Sequence, residues 1–167
     1  MGRHDGLYYV DSQKILDVEN YSDCSLGEGV YYSHKWIERI STLESDNTYL
    51  SAWPEKHTRI NSINGSRLDY NLTFSESAEY SFMIKMRGNS YSNDTIKVGI
   101  RQADDPHYLL ANYSSFGWRS NGDWEWEPES NTDKLRLDVV NNTGYTFSIW
   151  MKEDGVEIDA IRIQKVM

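Results

Sequence analysis

The sequence predicts an all-β domain, a sandwich or a barrel, from three features. Short segments alternate apolar with polar residues, turn residues separate these segments, and no helical period of comparable length competes with them. Because each such strand has one apolar face to bury, several of them in one chain are typical of a sandwich or a barrel. The segments with the clearest alternation are Leu68–Phe74, Tyr80–Met86, Ile96–Ile100, Leu135–Val139 and Tyr145–Met151.

Length and charge limit the classes of function. A chain of 167 residues without an internal repeat, a linker or a low-complexity tract predicts one domain over residues 1–167. The net charge of −9 argues against nucleic acid as a partner, because phosphates would be repelled. No apolar run approaches the roughly 20 residues of a membrane span, and Met1–Gly6 lacks the apolar core of a signal peptide.

Two short strands are predicted near the start of the chain, at Leu7–Val10 and Lys14–Glu19. Asp17 and Glu19 lie on the same face of the second strand, and two neighbouring carboxylates repel unless a cation lies between them. The alternative is a pair of exposed, solvated acids at a strand edge. From residue 20 to residue 64 the pattern is poor, and Trp36–Ile40 fits either one helical turn or a strand.

The end of the chain is predicted to be a hairpin that closes the sandwich. The strand Tyr145–Met151 leads into Glu153-Asp154-Gly155, where Asp-Gly supplies the positive φ of a tight turn. In the return strand the apolar phase changes between Ile158 and Ile161, which predicts a β-bulge at Asp159-Ala160. Asp159 is an acid in an apolar strand, so a compensating group is expected beside it.

No catalytic motif stands out, whereas the aromatic residues fit sugar binding. The four histidines lie in separate stretches, and no nucleophile elbow, phosphate loop or dinucleotide fingerprint is present. Sugar rings stack on Trp and Tyr while polar side chains bind their hydroxyl groups. Trp124 and Trp126 are two residues apart, so on a strand they would lie on the same face, towards either the core or a site. Trp53 and Trp118 fit loops.

Four stretches resemble the carbohydrate-binding modules of families 6 and 35, and especially the terminal accessory domains of family 115 glycoside hydrolases and marine polysaccharide-degrading enzymes. Ile15–Tyr21 (ILDVENY) resembles their opening strand, and Asp123–Trp126 (DWEW) is similar to their Trp-rich loop and strand. Leu68–Phe74 with Ala78–Arg87 resembles their central strand pair. Phe147–Ile163, with its WMKEDG and IDAI motifs, resembles their closing hairpin.

The resemblance implies a jelly-roll β-sandwich of two antiparallel sheets with structural calcium and no catalysis of its own. By position, Asp17, Glu19 and Asp159 would hold the calcium ion, whose ligands are oxygen atoms. The sugar site of the family would correspond to Tyr31 or Tyr32, Trp124 and Glu157. Because an ionised Glu157 only accepts hydrogen bonds, neutral or partly substituted glycans are expected over strongly anionic ones.

The function predicted from these features is a non-catalytic module that holds a parent carbohydrate-active enzyme on a polysaccharide. Its partners would be a polysaccharide or oligosaccharide and the parent catalytic domain, and its location extracellular or on the cell surface as part of a secreted parent. The first alternative is a structural or interaction sandwich without a sugar site, which an exposed apolar patch would favour. The second is a small β-sandwich lyase or hydrolase, which would need a cleft with perturbed acids.

Overall fold

Thirteen β-strands make up the part of the chain that a computed structural model describes, namely residues 6–41, 47–56, 60, 64–88, 95–116, 122–127 and 135–167. A single turn of 3-10 helix lies at Gly29–Tyr31. The strands are β1 (Tyr8–Val10), β2 (Gln13–Asp17), β3 (Asp23–Ser25), β4 (Lys35–Ile40), β5 (Thr48–Trp53), β6 (Arg67–Phe74), β7 (Ala78–Arg87), β8 (Ile96–Gln102), β9 (Ala111–Phe116), β10 (Glu125–Glu127), β11 (Arg136–Val139), β12 (Gly144–Met151) and β13 (Glu157–Lys165).

The strands form two sheets, which confirms the predicted β-sandwich. One sheet has six strands in the order β1-β6-β12-β8-β9, with β3 also paired to β6. The other has seven strands in the order β10-β7-β13-β5-β4, with β11 paired to β7 and β2 paired to β13. All recorded pairs are antiparallel except β1 with β6, which is parallel.

Two long strands, β6 and β7, are each covered on one side by two short strands in succession. On β6, strand β1 pairs with residues 72–74 and β3 pairs with residues 67–69. On β7, strand β10 pairs with residues 84–86 and β11 pairs with residues 78–81. Short edge strands of this kind limit the length of unpaired backbone that each sheet presents.

The core lies between the sheets and includes the predicted apolar phases of β6, β7, β8, β11 and β12. Phe82 of one sheet stacks on Phe147 of the other, with ring centroids 5.3 Å apart, and both rings are fully buried. Burying each such ring contributes roughly 1.5–3 kcal/mol. The buried Tyr70 hydroxyl donates to the Val18 carbonyl over 2.6 Å, so the phenol does not lose a hydrogen bond on burial.

The prediction of a closing hairpin is wrong, because β12 and β13 belong to different sheets and do not pair with each other. The turn has the expected left-handed glycine, with Gly155 at φ 86°, but it crosses between the layers. Its acids are buried rather than solvated: a Glu153 carboxylate oxygen accepts from the Thr95 N–H over 3.0 Å, and Asp154 lies 3.4 Å from His34 Nε2. These contacts hold the turn inside the sandwich.

The stretch with the poorest sequence signal contains an antiparallel hairpin. Strand β4 pairs with β5 from Lys35 opposite Trp53 to Ile40 opposite Thr48, so Trp36–Ile40 is a strand and not a helical turn. The predicted bulge is confirmed, since the register of β13 on β7 shifts between Ile158 and Ala160. Within the described ranges, no helix is long and apolar enough to cross a bilayer.

Candidate functional site

The candidate site lies on the outer face of the seven-stranded sheet. Along β7 the apolar residues, such as Ile84 and Met86, face the core, so Lys85 and Arg87 point outward. Cross-strand register places Glu157 opposite Arg87 and Trp126 opposite Lys85, on the same face. This face therefore carries aromatic, cationic and anionic side chains together.

Four side chains from four segments meet at one end of this face, and we refer to Tyr49, Arg87, Trp124 and Glu157 as the Trp124 cluster. The Arg87 guanidinium carbon lies 4.6 Å from the Trp124 ring centroid and 5.4 Å from that of Tyr49. The two rings make an edge contact with centroids 5.4 Å apart. Arg87 Nε also donates a short hydrogen bond to the Glu157 carboxylate. Arg87 thus joins both aromatic rings to the acid.

The Trp124 cluster is partly buried, which strengthens its electrostatic contacts. The side chains of Arg87 and Glu157 are 26% and 15% exposed. Burial by itself lowers the pKa of Arg87, but its hydrogen bond and charge contact with Glu157, helped by Tyr49, raise the pKa above the ordinary value. The guanidinium therefore remains charged, with a fixed anionic neighbour.

Both tryptophans of the DWEW motif belong to the outer face and not to the core. Trp126 is stacked against Arg162, whose guanidinium carbon is 4.1 Å from the ring centroid. Lys85 Nζ lies 5.9 Å from the Trp124 centroid. All four side chains are half-buried. The face therefore presents two neighbouring aromatic residues, each in contact with a cation within the range of a cation–π interaction.

The structure brings some of the predicted sugar-binding residues together and leaves others apart. Trp124 and Glu157 meet through Arg87. Tyr31 instead makes an edge contact with His34, with centroids 5.6 Å apart. Tyr32, in the turn after the short helix, is 73% exposed. A sugar-binding role for these two tyrosines remains a prediction.

Trp53 makes no described contact with the residues of the Trp124 cluster. Trp53 ends β5 and is 40% exposed, with Lys35 Nζ 5.3 Å from its ring centroid. Trp118 lies outside the described residues. Their roles in sugar binding also remain predictions.

Sequence reasoning missed Tyr49 and Arg87 as site residues. Tyr49 belongs to the stretch without a clear strand pattern, so its face could not be assigned. Arg87 is one of the polar residues that alternate with apolar ones along a clearly predicted strand. This alternation places it on the outer face, and it is the sequence signal that could have identified Arg87. Its partners come from β13, β5 and the residue just before β10, which only the fold brings together.

The three predicted calcium ligands do not form a metal cage. The Asp159 carboxylate contacts Lys85 Nζ over 2.8 Å and accepts from the Asn47 side-chain amide over 3.1 Å. Asp17 is exposed. Among the described residues, no group of three or more His, Cys, Asp or Glu side chains is arranged to hold a metal ion. The side chains as placed therefore do not fit calcium, and calcium binding remains a prediction.

Glu19 is the predicted ligand with the least compensation. Burial raises its pKa, a backbone hydrogen bond lowers it, and the charges of Asp17, Asp159 and Glu38 raise it further, so that the net pKa is above the ordinary value. Its Oε2 atom is buried without a hydrogen-bond partner in the described structure. A raised pKa favours the neutral form of this carboxyl group, which lowers the cost of burying it without a cation.

Comparisons with known proteins support the fold at low sequence identity. No family model matches the chain, and no curated protein matches it. The C-terminal family 6 carbohydrate-binding module of LamC, a marine laminarinase from Zobellia galactanivorans, superposes with a TM-score of 0.59 and 16% identity, covering 92% of this chain and 99% of the module. The fold of this chain is therefore similar to that of a family 6 carbohydrate-binding module.

Two further solved structures also have a fold similar to that of this chain. A family 6 module of Cellvibrio mixtus lichenase 5A, solved with cellotriose, has a TM-score of 0.57 and 12% identity, covering 92% of this chain and 98% of the module. A family 35 module from Clostridium thermocellum has a TM-score of 0.51 and 10% identity, covering 93% of this chain and 99% of the module. The resemblance to families 6 and 35 is therefore confirmed for the fold.

Proposed function

We propose that this chain is a non-catalytic carbohydrate-binding module that binds a polysaccharide or oligosaccharide at the Trp124 cluster. The observation that carries the proposal is the joining of Trp124, Tyr49, Arg87 and Glu157 on a partly exposed sheet face. This combination of aromatic surface with a few fixed polar groups is what a sugar requires of a binding site.

The chemistry of the cluster assigns a role to each side chain. The indole of Trp124 and the phenol of Tyr49 offer apolar surface to the C–H face of a sugar ring. Arg87 has five N–H donors in a planar fork, and the Glu157 carboxylate accepts, so sugar hydroxyls find both donors and acceptors. Because Glu157 holds Arg87 in place, little side-chain entropy is lost when the ligand binds.

The biological setting follows from the same proposal. The module would hold a parent carbohydrate-active enzyme on its polysaccharide, outside the cell or on its surface. Support comes from the similar modules of a laminarinase and a lichenase, which are parts of carbohydrate-active enzymes. The jelly-roll connection of the two sheets, implied by the family resemblance, belongs to this proposal as well.

The alternative is a structural or interaction domain without a sugar site, which the structural neighbours do not favour. The Arg87 guanidinium already lies over Trp124, and Glu157 already neutralises it, so the cluster is also a self-contained polar network. In that case Trp124 would pack on a partner protein or on the sheet itself. The binding experiment below separates the two candidates.

The test is native affinity electrophoresis of the whole chain in gels containing neutral β-glucans, xylans, mannans or uronic-acid polymers, each with calcium and with EDTA. We expect retardation on at least one glycan that is lost in Trp124→Ala and kept in Tyr108→Ala, a control on an aromatic residue that is 63% exposed elsewhere. No retardation on any glycan, or equal retardation of both variants, would contradict sugar binding at the Trp124 cluster.

A further inference from the structure

The bulge in β13 places a carboxylate where it must be compensated. Strand β13 passes from Ile158 opposite Met86 to Ala160 opposite Lys85, which leaves Asp159 without a residue opposite it on β7. The Asp159 side chain is only 8% exposed. A carboxylate this far removed from water destabilises the fold unless a charge or hydrogen bonds compensate it.

Both oxygens of this carboxylate already have partners from the chain. Lys85 Nζ lies 2.8 Å from Oδ2, and the Asn47 side-chain amide donates to Oδ1 over 3.1 Å. Calcium would require carboxylate oxygens at about 2.3–2.6 Å, and an ammonium group bound to the same oxygen would repel it. The lysine and the ion therefore compete for one position.

Lys85 also reaches the Trp124 cluster. Its ammonium nitrogen is 5.9 Å from the Trp124 ring centroid while it contacts Asp159. The Lys85 side chain is 27% exposed, so both contacts are partly shielded from solvent. A single cation thus links the bulge in β13 to the aromatic residue at the candidate site.

We propose that Lys85 is the built-in counter-ion of Asp159, that the fold needs no calcium for its stability, and that Lys85 also positions Trp124. The positioning part rests on the proposed sugar-binding function, whereas the counter-ion part does not. Lys85 is thus a positioning residue that takes the electrostatic role the family resemblance would give to a metal ion.

The counter-ion part is tested on the unmodified chain by thermal unfolding in EDTA, in about 20 mM calcium chloride and in the same concentration of magnesium chloride. That calcium concentration is roughly twenty-fold above the weakest dissociation constants usual for extracellular modules, so a bound ion would raise Tm by about 4–7 °C. We expect equal Tm values in all three solutions. A rise of that size in calcium alone would overturn the proposal.

A double-mutant cycle with Lys85→Met and Asp159→Asn measures the pair directly. Lys85→Met should lower Tm because it leaves a buried carboxylate without its cation, and adding Asp159→Asn should recover part of the loss. Lys97→Met is the matched control, since Lys97 lies 5.4 Å from the Trp150 ring and has no recorded acidic partner in the described structure. Additive effects of the two changes would overturn the counter-ion role.

The positioning part has its own measurement, the indole N–H resonance of Trp124, assigned as the peak missing from Trp124→Phe. This resonance should shift in Lys85→Met, remain in place in Lys97→Met, and return towards its original position in Lys85→Arg, which keeps the positive charge. An unchanged resonance in Lys85→Met would overturn the positioning role. Because no glycan is used, a failure of the positioning role is distinguishable from a failure of the proposed function.

Discussion

The centre of the outer face of the six-stranded sheet is closed over, whereas the outer face of the seven-stranded sheet keeps its aromatic and charged side chains partly exposed. On the first, Asp69, Ser148 and Trp150 are 5%, 0% and 5% exposed. On the second, Trp124 and Arg87 are half-buried. Both faces combine a tryptophan, cations and acids, so composition alone does not distinguish a structural face from a binding face.

On the six-stranded sheet the polar groups satisfy one another. The Ser148 hydroxyl donates to Asp69 Oδ1 over 2.5 Å and accepts from Arg101 over 2.9 Å. Arg67 donates to the other Asp69 oxygen over 3.1 Å. A buried network with its donors and acceptors paired rigidifies the sheet and leaves few groups for a ligand.

Trp150 shows how this face is closed. A Cβ added to Gly99 would lie 3.0 Å from Leu109 and 3.1 Å from the Trp150 ring, so both side chains pack directly over the glycine. Lys97 lies 5.4 Å from the same ring, and burial lowers its pKa. The comparison shows that the cover over a tryptophan, and not the tryptophan itself, decides whether it can meet a ligand.

The largest expected effect that tests this comparison is on stability, from Trp150→Ala. Removing this buried tryptophan, which packs over Gly99, should lower the free energy of unfolding by about 3–5 kcal/mol. The measurement is urea unfolding followed by circular dichroism. A loss below about 1 kcal/mol would show that this face is less closed than its exposure indicates.

The next effect is expected from Asp69→Asn, which removes the acid that Arg67 and Arg101 share. We expect a loss of about 2–3 kcal/mol, because two cations keep their burial and lose their counter-charge. The same unfolding experiment measures it. Since Arg67 is 34% exposed, a second variant, Arg101→Met, examines the more buried partner, whose side chain is 12% exposed.

On the other face, Trp124→Ala should act on binding more than on folding. If the Trp124 cluster binds a sugar ring, affinity should fall about thirtyfold, which corresponds to roughly 2 kcal/mol for a central aromatic contact. Stability should change by less than about 1 kcal/mol, because the indole is partly exposed. Isothermal titration with the glycan identified by electrophoresis measures the first, and urea unfolding measures the second. A larger effect on stability than on affinity would show that Trp124, like Trp150, is mainly a structural residue.

The smallest effect is expected from Glu157→Gln. The pair with Arg87 is partly exposed, so its loss should cost about 1 kcal/mol of stability. Binding should weaken because Arg87 loses the acid that orients it. The double variant Arg87→Gln/Glu157→Gln tests this coupling, since its stability loss should be smaller than the sum of the two single losses.

Much of the fold could be predicted from the period-2 pattern, because alternation states which residues share a face. The core phases of β6, β7, β8, β11 and β12 were predicted in this way, as were the left-handed Gly155 and the bulge at Asp159. A phase change within one strand is a local property, and so it is visible in the sequence.

The candidate site could be predicted only in part. The family resemblance predicts Trp124 and Glu157, and the polar phase of the strand that contains Arg87 is visible in the sequence, but Tyr49 lies in a stretch without a pattern. The compensation of Asp159 was predicted, whereas its source, Lys85 with Asn47, was not. These partners are distant along the chain, so no local signal connects them.

The sequence by itself determined that the chain is all-β, which residues alternate and where the last strand bulges. The tertiary structure decided that β12 and β13 lie in different sheets, because buried contacts of Glu153 and Asp154 carry the turn across the sandwich. It also decided that Trp150 is covered while Trp124 is partly open. Alternation specifies the face of a side chain, but what packs over that face depends on residues distant in the sequence.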